Sequence, residues 1–184
     1  FQKNLMLKVS MKVFLSSSVL FLAITSCFTV TKHQSNFSND LIGIITQQQI
    51  QQSEHANWYN KEVGSYLVDV ETLADFENNP ERIEVLSVKI FLGTWCSDSR
   101  REVPRFYSIM SFLNVTNIET IGLDKNKKSP ENLEKGMNIH HVPTFILYQN
   151  GIEVNRIIET PVESLEKDLI AIIQAKKYSS NYSK

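Results

Sequence analysis

The stretch FLGTWCSDSRREVPRF, residues 91 to 106, sets Cys96 behind an apolar run and a tryptophan and ahead of a segment with helical spacing. A thiolate is the working nucleophile of sulfur chemistry. If Cys96 caps a helix starting at Ser97, unpaired backbone N–H groups and the positive end of the helix dipole face its sulfur and favour the anion. Ser99, one turn on, occupies the place where a second thiol would complete a pair, and it offers a hydroxyl for a hydrogen bond to the sulfur. The charge of Asp98 opposes ionisation, while Arg100 and Arg101 offset it. A thiolate so placed attacks a disulfide and forms a mixed disulfide. With serine at 99, release must then come from an outside thiol. The candidate catalytic residues are therefore Cys96 and Ser99, with Trp95 as an apolar wall.

The elements around this sulfur are legible from periodicity. VLSVKIFLG, residues 85 to 93, is apolar and β-branched, as in a strand buried on both faces. Val103, Phe106, Tyr107, Met110 and Leu113 recur at steps of three and four, so a helix follows, with Pro104 inside it as a kink. IETIGL, 118 to 123, reads as a second strand, and a short helix is expected from Pro130, capped by Ser129 and stopped near Gly136. Residues 142 to 159 form two apolar runs joined at Asn150-Gly151, the pair suited to a type I′ hairpin turn. Thr160, Pro161 and Glu163 then read as the cap, first residue and capping-box acid of a closing helix whose apolar face is Val162, Leu165, Leu169, Ile172 and Ile173. Upstream, Thr46 and Gln49 have capping-box spacing, and Asp69 caps a helix over about 70 to 78. Trp58, Tyr59, Tyr66 and Leu67 supply apolar mass between these two helices. The order predicts an α/β architecture, a mixed central sheet flanked by helices.

Composition narrows the class. The 184 residues are 42% apolar and 21% charged, in keeping with a globular domain plus an extension. Nineteen basic side chains against 20 acidic ones create no field that would draw nucleic acid. His140 and His141 suggest a metal, but neighbours on an extended segment point to opposite faces and no further ligand cluster accompanies them. Neither a metal nor a cofactor is expected, and the protein is expected to be a monomer.

The N-terminus reads as an export signal. MKVFLSSSVLFLAITSC, Met11 to Cys27, has a basic start, an apolar run and small residues before the cysteine. Residues 1 to 10 read as an upstream extension of the reading frame, because Met11 is the more natural start. AITSC resembles a loose bacterial lipobox, which makes Cys27 a lipid attachment site. Ordinary cleavage, and retention of the uncharged stretch from Val13 to Val30 as a spanning helix, are the alternatives. TKHQSNFSND, residues 31 to 40, is polar and reads as a tether.

Taken together, residues 83 to 178 resemble the thioredoxin superfamily. TWCSDS corresponds to the family's W-C-x-x-C motif, Pro104 to the proline of its active-site helix, and HVPTFILYQNG to its cis-proline segment and the turn that follows. The longer string, with REVPRF and RIIETPVESLEKDL, resembles a subgroup of bacterial envelope proteins with helical N-terminal extensions. The resemblance implies a thioredoxin-like fold, Pro143 as the cis-proline beside the sulfur, and Val142 as the residue whose backbone pairs with an extended client. Trp95, Val142 and Pro143 are thus the candidate substrate-binding residues. Two departures bear on mechanism: Ser99 replaces the second motif cysteine, and Ile90 stands where the family keeps a buried acid. What remains is single-cysteine exchange with client protein disulfides or small-molecule thiols. A non-catalytic binding or chaperone module and a peroxide-reactive thiol are the competing readings. The expected organisation is 1–27 upstream residues and signal, 28–40 flexible tether, 41–82 helical extension, 83–178 thioredoxin-like domain and 179–184 disordered tail. The protein is expected to be exported and lipid-anchored on the extracytoplasmic face of a bacterial envelope.

Overall fold

A computed structural model describes residues 39–77 and 79–182; the expected signal, Cys27 and most of the tether lie outside them. Eleven elements follow in order: β1 (Gly43–Ile45), α1 (Gln47–Gln52), α2 (Ala56–Ser65), α3 (Val70–Glu77), α4 (Glu81–Glu84), β2 (Leu86–Leu92), α5 (Ser97–Phe112), β3 (Ile118–Gly122), β4 (Thr144–Gln149), β5 (Ile152–Ile158) and α6 (Leu165–Ile173). The five strands form one sheet in the order β1-β3-β2-β4-β5. β2 and β3 run parallel, and every other pairing is antiparallel. This is a thioredoxin-like arrangement, a mixed sheet flanked by helices.

Alternation along the central strand divides the interior in two. Val88, Ile90 and Leu92 of β2 enter a large core with Phe106, Ile109 and Met110 of α5 and Leu165, Leu169 and Ile173 of α6. Phe91 points the other way, into a smaller core with Ile121, Leu123, Ile139, Val142 and Ile146. Only the end of β2, Ile90 to Leu92, is buried on both faces, because successive side chains face opposite sides of the pleat and Ser87 and Lys89, on the side of Phe91, are partly exposed. The stack of Phe106 on Phe145, with ring centres 4.4 Å apart, fixes α5 to β4.

The N-terminal helices are bound to the large core by apolar and buried polar contacts. Tyr59 is fully buried, with its ring centre 6.4 Å from that of Tyr107 on α5. Arg105 pairs with Glu62 at 3.0 Å, and its guanidinium lies 5.5 Å from the centre of the Tyr66 ring. The buried Glu166 carboxylate accepts from the Tyr66 hydroxyl at 2.6 Å and the Asp69 N–H at 3.1 Å. The capping box of Thr46 and Gln49 is present, and Asp69 accepts from the Thr72 N–H at 3.0 Å at the head of α3.

Several expectations need correction. The segment 41–82 is not wholly helical, since Gly43–Ile45 adds an edge strand to β3. Gly122 permits this addition: a Cβ there would lie 2.0 Å from the Leu41 carbonyl oxygen. No helix starts at Pro130, and residues 129–138 form turns. Asn132, Gly136 and Asn138 all have positive φ, which a right-handed helix does not accommodate. α6 begins at Leu165 with Ser164 as its cap, not at Pro161. The Asp168 carboxylate takes the N–H groups of Val162 and Glu163 instead, at 2.7 and 3.2 Å, holding that stretch as a loop. Leu67 is 89% exposed and adds nothing to the core. In the stretch expected to be a disordered tail, Asn181 and Tyr182 make side-chain contacts with Glu159 and Thr160 after β5 and with His141.

Candidate active site

Cys96 is the N-cap of α5, where the chain leaves β2 through Gly93, Thr94 and Trp95. The tight passage depends on Gly93, because a Cβ there would meet the Trp95 indole at 2.5 Å. The indole N–H donates to the Leu123 carbonyl at 2.9 Å, which lays the ring against the smaller core. Thr94 is fully buried; its hydroxyl accepts from the Leu41 N–H at 3.2 Å and donates to Asp40 at 3.0 Å. The lead-in to β1 is thereby tied to the loop that carries the sulfur.

The Val142–Pro143 peptide bond is cis. Cys96 is half-buried, and its thiol donates to the Val142 carbonyl at 3.2 Å. Trp95, Cys96, Val142 and Pro143 therefore meet at one margin of the smaller core, although the sequence separates the two pairs widely. Val142 is buried, so its side chain packs inward while its carbonyl faces the sulfur.

Two features differ from the sequence expectation. The sulfur makes no capping bond with the backbone of α5; its partner is the Val142 carbonyl. Ser99 is fully buried one turn into the helix, and its hydroxyl accepts from the Gly93 N–H at 3.2 Å. That bond holds the loop shut behind the cysteine and does not reach the sulfur. The nearby charges are largely committed. Arg101 bridges Asp98 at 2.7 Å and Glu102 at 2.5 Å, and Arg100 donates to the Thr94 carbonyl at 2.6 Å. The Glu102 hydrogen bond, outweighing partial burial, holds the Arg101 guanidinium further toward its charged form.

His141 turns to Glu159, with Nδ1 3.1 Å from the carboxylate, and His140 is exposed. Among the described residues no three His, Cys, Asp or Glu side chains converge as a metal site. Sequence reasoning missed Glu159 and Tyr182, which lie beside the cis-proline loop. Glu159 sits at φ 59° just after β5, and its N–H donates to the Pro143 carbonyl at 2.7 Å. No local pattern marks either residue, since both matter only through contacts with a distant loop.

No protein-family model matches the chain. Over 79 residues, 43% of its length, it is 30% identical to thioredoxin domain-containing protein 2 of Rattus norvegicus, covering 14% of that protein. Over 68 residues, 37% of its length, it is 31% identical to a thioredoxin of Chlamydia pneumoniae, covering 63% of that protein. The chain thus spans less than two thirds of either relative. Among solved structures, Fasciola hepatica thioredoxin aligns with 57% of this chain and 94% of its own at 23% identity and a TM-score of 0.36. The oxidised thioredoxin of Plasmodium falciparum aligns with 54% of this chain and 88% of its own at 24% identity and a TM-score of 0.34. The strand order gives the chain a thioredoxin-like fold, and about two fifths of its sequence is similar to thioredoxin sequences.

Proposed function

We propose that the protein performs thiol–disulfide exchange through Cys96 alone. The observation that carries this reading is the half-buried thiol at the head of α5, 3.2 Å from the carbonyl that precedes a cis-proline. The thioredoxin homologues support disulfide chemistry at the level of the family. In the reaction, Cys96 gives up the proton held against Val142 and its thiolate attacks one sulfur of a client disulfide. A new S–S bond forms to that sulfur, the client bond breaks, and the departing thiolate takes up a proton. Cys96 is the single cysteine among the described residues, and Ser99 cannot displace the client. A thiolate from outside attacks the mixed disulfide, pairs with the client sulfur and releases Cys96. The number of disulfides is unchanged over the cycle.

The site suits an extended client in the manner of strand addition, since Trp95 and the Val142–Pro143 backbone gather at the sulfur. The exported, lipid-anchored part of the reading rests on Met11 to Cys27, which lie outside the described residues. Among the described residues no helix is long and apolar enough to cross a membrane.

Mixing the wild-type protein with a peptide disulfide should accumulate a mixed disulfide at Cys96, visible as an intact-mass increase that a small thiol reverses. Cys96→Ser should abolish it. If peptide capture persists unchanged in Cys96→Ser, the protein is a binding module and the exchange reading falls. The mass spectrum of the native protein also tests the anchor, since an unmodified Cys27, or its loss in a leader cleaved beyond it, excludes lipid attachment.

A further inference from the structure

Past α6 the chain doubles back along the end of β5. Tyr178 donates its hydroxyl to Asp168 at 2.9 Å, and the Asn181 side chain donates to the Thr160 carbonyl at 3.2 Å. These anchors bring Tyr182 onto His141, with ring centres 4.1 Å apart and planes 25° from parallel. The Tyr182 hydroxyl donates to Glu159, whose other oxygen engages His141. Glu159 holds a left-handed backbone that side chains seldom adopt, a cost that tends to be retained where a side chain must be aimed.

The position of the ring is informative. His141 immediately precedes Val142, whose carbonyl receives the Cys96 thiol. The Tyr182 hydroxyl is held toward its neutral form first by the bond to Glu159, then by partial desolvation and by the charges of Glu159 and Asp98. Glu159, which accepts from the ring's hydroxyl, also donates its N–H to the Pro143 carbonyl at 2.7 Å, so the ring stands beside the cis-proline loop that carries the thiol's partner. Tyr182 nevertheless remains 45% exposed, with one face on His141. An aromatic ring fixed at its hydroxyl and on one face presents a rigid apolar surface at little entropic cost.

We propose that Tyr182 is a specificity-determining residue of the Cys96 site: backed by His141, it forms an aromatic wall that receives an apolar or aromatic side chain of an extended polypeptide. The site then favours peptide partners over small disulfides that are too short to reach the wall. This rests on the proposed function for the chemistry, but the wall itself is testable by binding alone.

The probes are two unreactive octapeptides with serine in place of the reactive cysteine, one with phenylalanine beside it and one with glycine. NMR titration of the wild-type protein should give a Kd about 3- to 10-fold lower for the phenylalanine peptide, the range of aromatic pairing. In Tyr182→Ala the ratio should fall to about one, and Tyr182→Phe should retain most of it. The rate with hydroxyethyl disulfide should be the same in all three proteins. Equal affinities in the wild type, an undiminished ratio in Tyr182→Ala, or a parallel loss of rate with hydroxyethyl disulfide would each overturn the proposal. Discrimination through Tyr182 without any exchange in the wild type would support the wall and remove the thiol chemistry proposed above.

Discussion

On one face of the sheet, Phe106, Ile109 and Met110 of α5 and Leu169 of α6 are fully buried beneath regular helices. On the other face, Leu123, Ile139 and Val142 come from irregular chain, and Trp95 and Cys96 lie at the margin of what they cover. The helical face has the larger core and the stacked pair Phe106 and Phe145. The loop face holds its turns with polar contacts, above all the buried Glu134, which accepts from the Ser129 N–H and hydroxyl at 3.1 and 2.8 Å. Regions with fewer buried apolar contacts open at lower free energy than the main core. The thiol and the cis-proline thus sit on the side that a partner can approach without disturbing the helices. The division lets one face hold the fold while the other carries the thiol and the cis-proline.

The largest expected effect that tests this division is in the helical core. Phe106→Ala should cost about 3 to 5 kcal/mol in urea unfolding, the usual range for truncating a buried aromatic. Ile139→Ala, under the loop, should cost about 2 kcal/mol and raise hydrogen exchange locally in residues 124–141. Equal costs for the two variants would show that the loop face is as integral to the fold as the helical one.

A pH titration sharpens the same contrast. Burial opposes ionisation of Glu134, but its own backbone N–H, the Ser129 hydroxyl and N–H, and Lys128 outweigh it and hold the carboxyl at about 2. Its folded value lies below the unfolded one, so the stabilisation is complete above the unfolded pKa and is lost as pH falls toward the folded one. The urea midpoint should therefore drop from about pH 5 down to about pH 2, and Glu134→Gln should flatten that part of the profile. An unchanged slope in the variant would mean that the loop is held by other contacts. The smallest effect is expected at Leu67, which is 89% exposed: Leu67→Ala should change stability by less than about 0.5 kcal/mol.

Local chemistry explains which parts of this molecule could be read in advance. β2, α5, the β4–β5 hairpin and the cap of α3 each follow from patterns within a few residues: alternating or periodic apolar positions, the Asn150-Gly151 turn and Asp69. The failures share a different origin. Ser129 and Pro130 have the form of a helix start, but the polar contacts of Glu134 and the left-handed residues that follow make turns. Thr160 and Pro161 look like another start, yet Asp168 captures the amides from which the first turn would be built.

The sequence by itself determined that Cys96 would stand at a strand-to-helix junction, without a second sulfur one turn on, and that Pro143 would introduce the next strand. Those facts are set by residue type and short-range spacing. Only the tertiary structure decided what the sulfur touches, because the Val142 carbonyl arrives from another strand and the Ser99 hydroxyl is drawn inward to Gly93. It also decided that Tyr182 stands beside the cis-proline loop, since that ring is placed by Glu159 and His141, and contacts between distant segments leave no local pattern along the chain.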